Sequence, residues 1–361
     1  MTDGIMASGR VAFRCGLTMK NQFMLAPMTN CQSHPDGVLS DDELRWLAMR
    51  ARGGFGLTMT CASHVQRVGQ GFPGQLGIFH NRHLEGHTRL AAAIKAEGSL
   101  AVIQLHHAGM RSPADLIGEA PVAPSADEKT GARALSLDEV ADLRDGFVTA
   151  AVRARDAGYD GVQIHGAHGY IVAQFISPKY NRRDDEYGGD LWGRSRLLFE
   201  IVRDVRAACG PGFLVSVRLS PERFGMRLTE ALELSQTLID SGLIDLLDLS
   251  LWDCFKRPED VEHAHQTLLE HISDLTKDDV RLTVAGKIHS GADVRQILES
   301  GIDFVTIGRA AILHHDYPTR ILANPDFEPT PLPVSSAYLQ AEGLGRDFIE
   351  YLRRWPDFVL D

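Results

Sequence analysis

The segment Gly161–Gly189, GVQIHGAHGYIVAQFISPKYNRRDDEYGG, contains a transition from a strand to a long polar loop, and the fold prediction starts from it. Its first residues, GVQIH, carry β-branched apolar side chains at Val162 and Ile164, as is typical of a short buried strand. Gly166 and Gly169 permit a sharp turn beyond the strand. A helical pattern precedes the segment and another follows it, so we expect a helix–strand–loop–helix unit.

The same alternation of strand and helix recurs on both sides of this segment. The predicted strands are Gln22–Met28, Phe55–Thr60, Leu100–Leu105, Gly161–His165, Phe213–Leu219, Leu246–Leu251, Arg281–Gly286 and Phe304–Gly308. The predicted helices are Asp41–Arg52, His83–Glu97, Ser136–Ala157, Arg194–Ala208, Thr229–Ser241 and Ala292–Ser300. Eight continuous apolar strands that alternate with helices predict a parallel (β/α)8 barrel, the TIM barrel. A doubly wound sheet is the alternative, but no G-x-G-x-x-G follows the first strand.

The domain organisation follows from the same pattern. We expect residues 1–361 to form a single domain, with the barrel at about 21–310 and an extension at 311–361. Ser136 and Glu139 form a capping-box pattern at one helix start. Within the extension, Asn324–Pro333 has the composition of a linker, and Ala337–Trp355 is predicted to form one or two helices.

Composition limits the classes of partner. The chain has 361 residues, 44% of them hydrophobic, and a formal net charge of −11, which disfavours nucleic acid because phosphate binding requires an excess of Lys and Arg. No apolar run approaches the roughly 18 residues of a membrane span, and the first ten residues, MTDGIMASGR, lack the apolar core of a signal peptide. Five scattered cysteines form no C-x-x-C motif, so we expect a cytoplasmic protein without a disulfide framework or a metal–thiolate site.

Active sites of this fold lie at the carboxyl ends of the strands, and polar residues cluster there in this sequence. These residues are Thr29, Ser63, Gln104, His106, His107 and Arg218, with Ala62 beside Ser63. The two longest loops, Ala108–Leu135 and Gly166–Gly193, follow the third and fourth strands. Long ordered loops are usually functional, so we expect the site beneath them.

His165, His168 and Tyr170 lie within six residues at the end of the fourth strand. They can present two hydrogen-bond donors and a phenolic proton source to one space. Two alternatives remain open for the pair: a metal half-site, for which no third ligand stands at a convincing spacing, or core histidines with satisfied hydrogen bonds. We predict no metal.

The seventh and eighth strands end in Gly286-Lys287 and Gly308-Arg309. This fold commonly binds phosphate there with backbone N–H groups, and the forked cation of Arg309 suits a phosphate dianion. The alternative is a turn beside a surface charge. The position in the barrel favours a phosphate site.

Several motifs together resemble the Old Yellow Enzyme family of FMN-dependent ene-reductases. The motifs are KNQFMLAPMT (Lys20–Thr29), VIQLHHAGMR (Val102–Arg111), HGAHGY and SPKYNRRDDEYGGD in the central segment, VSVRLSP (Val215–Pro221), AGKI and IGRA. The resemblance covers nearly the whole chain, and the combination in this order is highly specific. It implies a non-covalently bound FMN, NAD(P)H as reductant and an activated alkene as the small-molecule substrate.

The resemblance also implies a role for each matching position. Ala26, Pro27, Met28 and Thr29 would line the flavin ring, and the Thr29 hydroxyl would bind a flavin carbonyl. Ala62 would contribute a backbone contact, Gln104 would bind the pyrimidine edge, and Arg218 would place positive charge beside the reduced flavin. The phosphate would be held by Gly286, Gly308 and Arg309.

For the substrate, the resemblance implies that His165 and His168 bind an electron-withdrawing oxygen while Tyr170 protonates the α carbon. Cys31 stands where some relatives place an active-site tyrosine, so it is a predicted substrate contact. His106 stands at a variable position near the flavin. In some relatives a C-terminal arginine enters the neighbouring subunit's site, a role that Arg353 or Arg354 would take in a homo-oligomer.

Alternative functions weighed on the sequence are a related flavin enzyme that acts on amines or thioesters, a barrel that binds a phosphorylated ligand without turnover, and a metal-dependent hydrolase. Relatives of the amine and thioester type usually carry additional domains and an iron–sulfur cysteine cluster, and we expect neither from this sequence. Fold alone does not separate the alternatives, because the barrel supports many chemistries.

Overall fold

Parallel strands close into a barrel in the computed structural model, which describes residues 7–360. The barrel strands are Phe23–Leu25 (β1), Leu57–His64 (β2), Leu100–His106 (β3), Gly161–Gly166 (β4), Leu214–Leu219 (β5), Leu246–Ser250 (β6), Arg281–Ala285 (β7) and Phe304–Ile307 (β8). Their order in the barrel is their order in the chain, and β8 pairs with β1 through Val305 and Phe23. The predicted (β/α)8 barrel is therefore confirmed, and the doubly wound sheet is excluded because the sheet has no open edge.

Helices surround this barrel. The α-helices span Asp41–Arg52, Leu84–Ala96, Ala114–Ile117, Leu137–Asp156, Ile171–Ile176, Leu191–Cys209, Leu228–Asp240, Leu268–Ser273, Gly291–Glu299, Arg309–Leu313, Tyr317–Ala323, Ser336–Ala341 and Arg346–Leu352. The capping box is present as predicted: Ser136 accepts the Glu139 N–H, and the Glu139 carboxylate accepts the Ser136 N–H. The helix predicted at Arg194 begins at Leu191, because Asp190 caps it by accepting the Gly193 N–H.

Two strands end three or more residues away from the predicted position, and both differences shape the mouth of the barrel. β1 ends at Leu25 instead of Met28, so residues 26–29 leave the sheet as an irregular segment. β2 continues to His64 past a bulge between Met59 and Ala62. A bulge re-aims the side chains that follow it, and here it lies where β2 reaches the mouth.

The opposite end of the barrel is sealed. Val11–Ala12 and Thr18–Met19 form a small antiparallel ribbon, and Phe13 packs edge-on against Phe304 with ring centroids 6.2 Å apart. Strands of two residues carry no periodic signal, so the sequence did not predict this ribbon. It leaves the carboxyl ends of the strands as the accessible end of the barrel.

The C-terminal extension folds back onto its own barrel. The predicted helical region forms two helices, Ser336–Ala341 and Arg346–Leu352, after an irregular stretch that contains the predicted linker. Phe348 is fully buried and packs edge-on against Trp46, with ring centroids 5.4 Å apart. No helix within residues 7–360 has the length and apolar character of a membrane span. Most of the segment MTDGIMASGR lies outside the described residues.

Candidate active site

A cleft of about 380 Å³ opens at the carboxyl ends of the strands. The structure brings most of the sequence-predicted site residues to its wall: Ala26, Pro27, Met28, Thr29, Ala62, Gln104, His165, His168, Tyr170, Arg218, Gly286, Gly308 and Arg309. Cys31 does not line the cleft; it is half-buried and adopts a left-handed conformation with φ 56°. Its contact with substrate stays a prediction.

Strand register explains why residues that are distant in sequence meet in the cleft. Ala62 on β2 is in register with Gln104 on β3, which is in register with Gln163 on β4. Gln104 Nε2 donates a hydrogen bond of 2.7 Å to Gln163 Oε1. The Oε1 atom of Gln104 is then left as an acceptor for an N–H group of a ligand.

Arg218 supplies a buried positive charge beside the cleft. It lies on β5 in register with Asp248 on β6, and its Nε is 3.1 Å from Asp248 Oδ2. The angle of this ion pair is not that of a hydrogen bond, so Arg218 Nε has no hydrogen-bond partner within residues 7–360. Burial raises the pKa of the Asp248 carboxyl, while Arg218 opposes the shift.

The histidine side chains are joined in a chain of short contacts. Nδ1 of His106 is 2.9 Å from Nδ1 of His165. Nε2 of His165 is 2.9 Å from Nδ1 of His168, whose Nε2 is 2.8 Å from Ser250 Oγ. The predicted pair therefore meets as expected, but its ring nitrogens contact one another and two further residues. His106 and Ser250 complete a set that the sequence had only partly identified.

These histidines are neutral at physiological pH. Burial lowers the pKa of His106 and of His165 well below the ordinary value, and lowers that of His168 to about 3. The nearby cations Arg218 and Arg111 lower the pKa of His165 and His168 further. A neutral imidazole has one N–H donor and one acceptor, so each ring can pass one hydrogen bond along the chain.

Tyr170 lies against the histidine chain. Its ring is perpendicular to that of His106 at a centroid distance of 4.3 Å, and the Arg111 guanidinium lies 4.8 Å from the Tyr170 ring centre. Arg111 also donates a hydrogen bond to the His168 carbonyl oxygen. Burial raises the pKa of the Tyr170 phenol, and Arg111 partly opposes that shift. The phenol is therefore protonated at rest.

The other end of the cleft has the character of an anion site. A Cβ atom on Gly286 would lie 2.8 Å from backbone atoms of Trp252 and Asp253, so only glycine fits there. A Cβ on Gly308 would meet only the Met28 sulfur, at 3.9 Å, so this backbone faces open space. Arg309 is exposed and its guanidinium lies 5.3 Å from the centre of the Trp355 ring.

Several wall residues were not assigned to the site from the sequence: Phe72, Ser250, Trp252, His289, Thr306, Tyr351 and Trp355. Ser250 ends β6, so the rule that polar residues at strand ends mark the site would have identified it. Tyr351 and Trp355 belong to the C-terminal extension, for which the sequence predicted helices but no contact with the cleft. Their position depends on how the extension folds back.

The arginines of the extension have partners within the same chain. Arg353 contacts Ser336 and Glu350, at 2.9 and 3.3 Å. Arg354 lies close enough to Cys31 to lower the pKa of that thiol, although burial is the larger effect and raises it to about 11. Insertion of either arginine into a neighbouring subunit stays a prediction.

The donor set fits FMN better than it fits a metal ion. No group of three or more His, Cys, Asp or Glu side chains within residues 7–360 is placed to hold a metal. Three features suit FMN: the Nε of buried Arg218, which has no hydrogen-bond partner among residues 7–360, the Gln104 amide, whose Nε2 is already used as a donor to Gln163, and the open backbone at Gly308 beside Arg309. Arg218 would face the flavin ring, which gains electrons, and Gln104 would face an N–H of its pyrimidine edge. The backbone at Gly308 and the Arg309 side chain would bind the phosphate.

Comparison with known proteins gives a consistent result. The model of the NADH:flavin oxidoreductase / NADH oxidase family matches residues 13–326. The chain is 35% identical over 320 residues to the probable NADH-dependent flavin oxidoreductase YqiG of Bacillus subtilis, covering 86% of each chain. It is 34% identical to the NADH:fumarate oxidoreductase of Klebsiella pneumoniae, aligning with 87% of this chain and 35% of that protein. The solved old yellow enzyme homologue from Zymomonas mobilis superposes with a TM-score of 0.79 at 29% identity, over 90% of this chain and 94% of that one.

Proposed function

The chain belongs to the NADH:flavin oxidoreductase / NADH oxidase family, and from this premise we propose that it reduces the activated C=C bond of α,β-unsaturated carbonyl or nitro compounds. It is an FMN-dependent NAD(P)H oxidoreductase, so the open question is which molecule accepts the electrons. The observation that carries the proposal is the cluster of His165, His168 and Tyr170 on one wall of the cleft, beside Arg218.

When bound at this site, FMN would supply the hydride-transfer chemistry that links NAD(P)H to the second substrate. Arg218 lies where its positive charge would stabilise the reduced cofactor, with Asp248 as its buried counter-ion. Gln104 would accept a hydrogen bond from the ring, and Arg309 would bind the phosphate together with the backbone at Gly286 and Gly308.

The two histidines would bind the electron-withdrawing oxygen of the substrate. When the β carbon of a conjugated alkene receives a hydride, negative charge develops on that oxygen, and two N–H donors stabilise it more than they stabilise the ground state. His165 and His168 are hydrogen-bonded to each other and to Ser250. A substrate oxygen would therefore replace the contacts made by their Nε2 atoms.

Tyr170 would donate the proton that completes the reduction. Its phenol is held in the protonated form by burial, which raises its pKa. The Arg111 cation over its ring lowers the cost of the phenolate that forms when the proton leaves. These two opposing effects suit a group that must keep its proton at rest and release it once per turnover.

The related proteins support an alkene as the acceptor without defining which one. Fumarate, named for the Klebsiella pneumoniae relative, is an alkene conjugated to carboxylates, but this chain spans about a third of that protein. Amine or thioester substrates are the alternative within the family. For the alternative of a metal-dependent hydrolase, residues 7–360 contain no group of three or more His, Cys, Asp or Glu side chains placed to bind a metal ion.

The test is an anaerobic titration followed by product analysis. The FMN-loaded protein is reduced with NADH or NADPH, and then 2-cyclohexenone, N-ethylmaleimide, a nitroalkene or fumarate is added. The proposal expects the oxidised flavin absorbance to return with at least one of these alkenes and an equivalent of saturated product to form. If oxygen reoxidises the flavin but none of the alkenes does so, the proposal is wrong.

A further inference from the structure

His106 is almost inaccessible to solvent and ends the series of hydrogen bonds that includes the proposed substrate-binding pair. Its side chain is buried at the end of β3, where the parallel register that pairs Leu105 with Ile164 sets it beside His165. Its Nδ1 lies 2.9 Å from Nδ1 of His165. Its other ring nitrogen, Nε2, is buried and has no partner within residues 7–360.

This arrangement restricts where the protons lie. Each ring is neutral and holds one N–H, so the chain from His106 to Ser250 must run in one of two directions. In one direction His106 donates from Nδ1, and in the other it carries its proton on Nε2. The second direction buries an N–H with no acceptor, which costs about 1–3 kcal/mol and is rare in folded proteins. The first direction leaves only a bare lone pair at that nitrogen.

We infer that His106 is a positioning residue that donates from Nδ1 to His165 Nδ1 and so holds His165 in the tautomer whose proton is on Nε2. His165 Nε2–H then points to His168 Nδ1, and His168 Nε2–H points to Ser250 Oγ. Both histidines consequently present an N–H from Nε2. This is the donor pair that a substrate oxygen needs, so the inference rests on the proposed function for its purpose.

The contact between His106 and His165 also explains why residue 106 is a histidine. An aliphatic side chain at position 106 would pack against the Tyr170 ring as well as the histidine does, but it would leave His165 Nδ1 with no donor. His165 could then hold its proton on either nitrogen. When the proton is on Nδ1, His165 Nε2 carries a lone pair and cannot donate a hydrogen bond to a substrate oxygen.

The experiment is two-dimensional NMR of protein labelled with ¹⁵N-histidine, which separates protonated from unprotonated ring nitrogens and requires no turnover. Resonances of His165 are assigned by their loss in His165→Asn. The wild-type protein, with FMN bound, should show His165 protonated at Nε2 and unprotonated at Nδ1. His106→Ala should shift His165 toward the Nδ1-protonated form, whereas His106→Asn, whose side-chain amide can donate from the same place, should restore the wild-type state.

His107→Asn is the matched control. His107 is the next buried histidine along the chain, and its Nδ1 accepts the Gly109 N–H at 3.0 Å, a contact that an asparagine oxygen can keep. This variant should leave the His165 resonances unchanged. If His165 is protonated on Nδ1 in the wild type, or keeps Nε2 protonation in His106→Ala, the inference is wrong.

Steady-state kinetics connect the tautomer to the reaction. With 2-cyclohexenone as the probe, His106→Ala should lower kcat/KM about 10-fold or more, while His106→Asn should recover most of it. If the wild type reduces no alkene but its NMR signals are as expected, the proposed function fails while the positioning role stands. If alkene reduction is present and the tautomer is independent of residue 106, the positioning role fails alone.

Discussion

Arg218 and Asp248 form a buried ion pair on neighbouring strands of the barrel, with Nε 3.1 Å from Oδ2 and both side chains almost inaccessible to solvent. The carboxylate reduces the positive charge that Arg218 presents to the cleft. The pair therefore sets how strongly the protein favours a cofactor that gains negative charge.

We predict that Asp248→Asn raises the reduction potential of bound FMN. Removal of one negative charge several ångströms away is worth about 2 kcal/mol at an effective dielectric constant of about 20, or on the order of tens of millivolts for a two-electron couple. Anaerobic titration against a reference dye of known potential measures the shift. A potential that is unchanged or lower would mean that the pair does not tune the cofactor.

Asp245→Asn is the control for this prediction. Asp245 is also buried and paired with an arginine, Arg206 at 2.5 Å, but it directly precedes β6 at the sealed end of the barrel. Both variants should lose stability, because each removes a buried carboxylate that pairs with an arginine. Only Asp248→Asn should change the potential.

Binding of the FMN phosphate by Arg309 can be tested by comparing the affinities of two flavins. Arg309→Ala should weaken FMN binding about 10- to 100-fold, since hydrogen bonds to charged groups contribute about 1.5–3 kcal/mol. Riboflavin lacks the phosphate, so its dissociation constant should be the same for Arg309→Ala and for the wild type. Flavin fluorescence quenching measures both constants. An equal loss of affinity for FMN and riboflavin would place Arg309 at the ring instead of the phosphate.

Buried neutral histidines predict how stability depends on pH. Burial lowers the pKa of His87 to about 4, and its ring lies 3.1 Å from the Tyr159 hydroxyl and 2.9 Å from the Gly77 carbonyl oxygen. In the unfolded chain the His87 imidazole has a pKa of about 6.5, so below that pH it binds a proton that it does not bind in the folded protein. The free energy of unfolding therefore falls by about 1.4 kcal/mol per pH unit as the pH is lowered from about 6.5 to about 4.

Urea unfolding at several pH values between about 8.5 and 4.5 measures this effect. Below pH 6, His87→Gln should lower the slope of the unfolding free energy against pH by about 1.4 kcal/mol per pH unit, which corresponds to one bound proton. Above pH 7 the slope should be unchanged. An identical slope in the variant would show that His87 is not neutral and buried in solution.

The sequence predicted the barrel and most of the cleft wall for a physical reason. Strands buried on both faces appear as continuous apolar runs, and in this fold the polar residues that follow them share one mouth, which is how Gln104 and Arg218 were located. Asp248 was missed although it interrupts the apolar run LLDLSL. A charge inside such a strand is a recognisable sign of a buried partner, since an unpaired carboxylate there would be very costly.

Other parts of the site could not be located in this way. Tyr351 and Trp355 reach the cleft because the C-terminal extension packs against Trp46 through Phe348, and no local pattern encodes that path. The contacts within the histidine chain were also beyond the sequence. His106 and His165 are 59 residues apart, and their contact depends on the register of two strands.

The measurement that tests the central proposal most directly compares the two half-reactions of Tyr170→Phe by anaerobic rapid mixing. Flavin reduction by NAD(P)H should proceed close to the wild-type rate, because the phenolic proton takes no part in it. Flavin reoxidation by 2-cyclohexenone should slow by about 100-fold or more, the usual contribution of a positioned general acid. If both half-reactions slow together, or if the enone reoxidises the variant at the wild-type rate, Tyr170 is not the proton donor for alkene reduction.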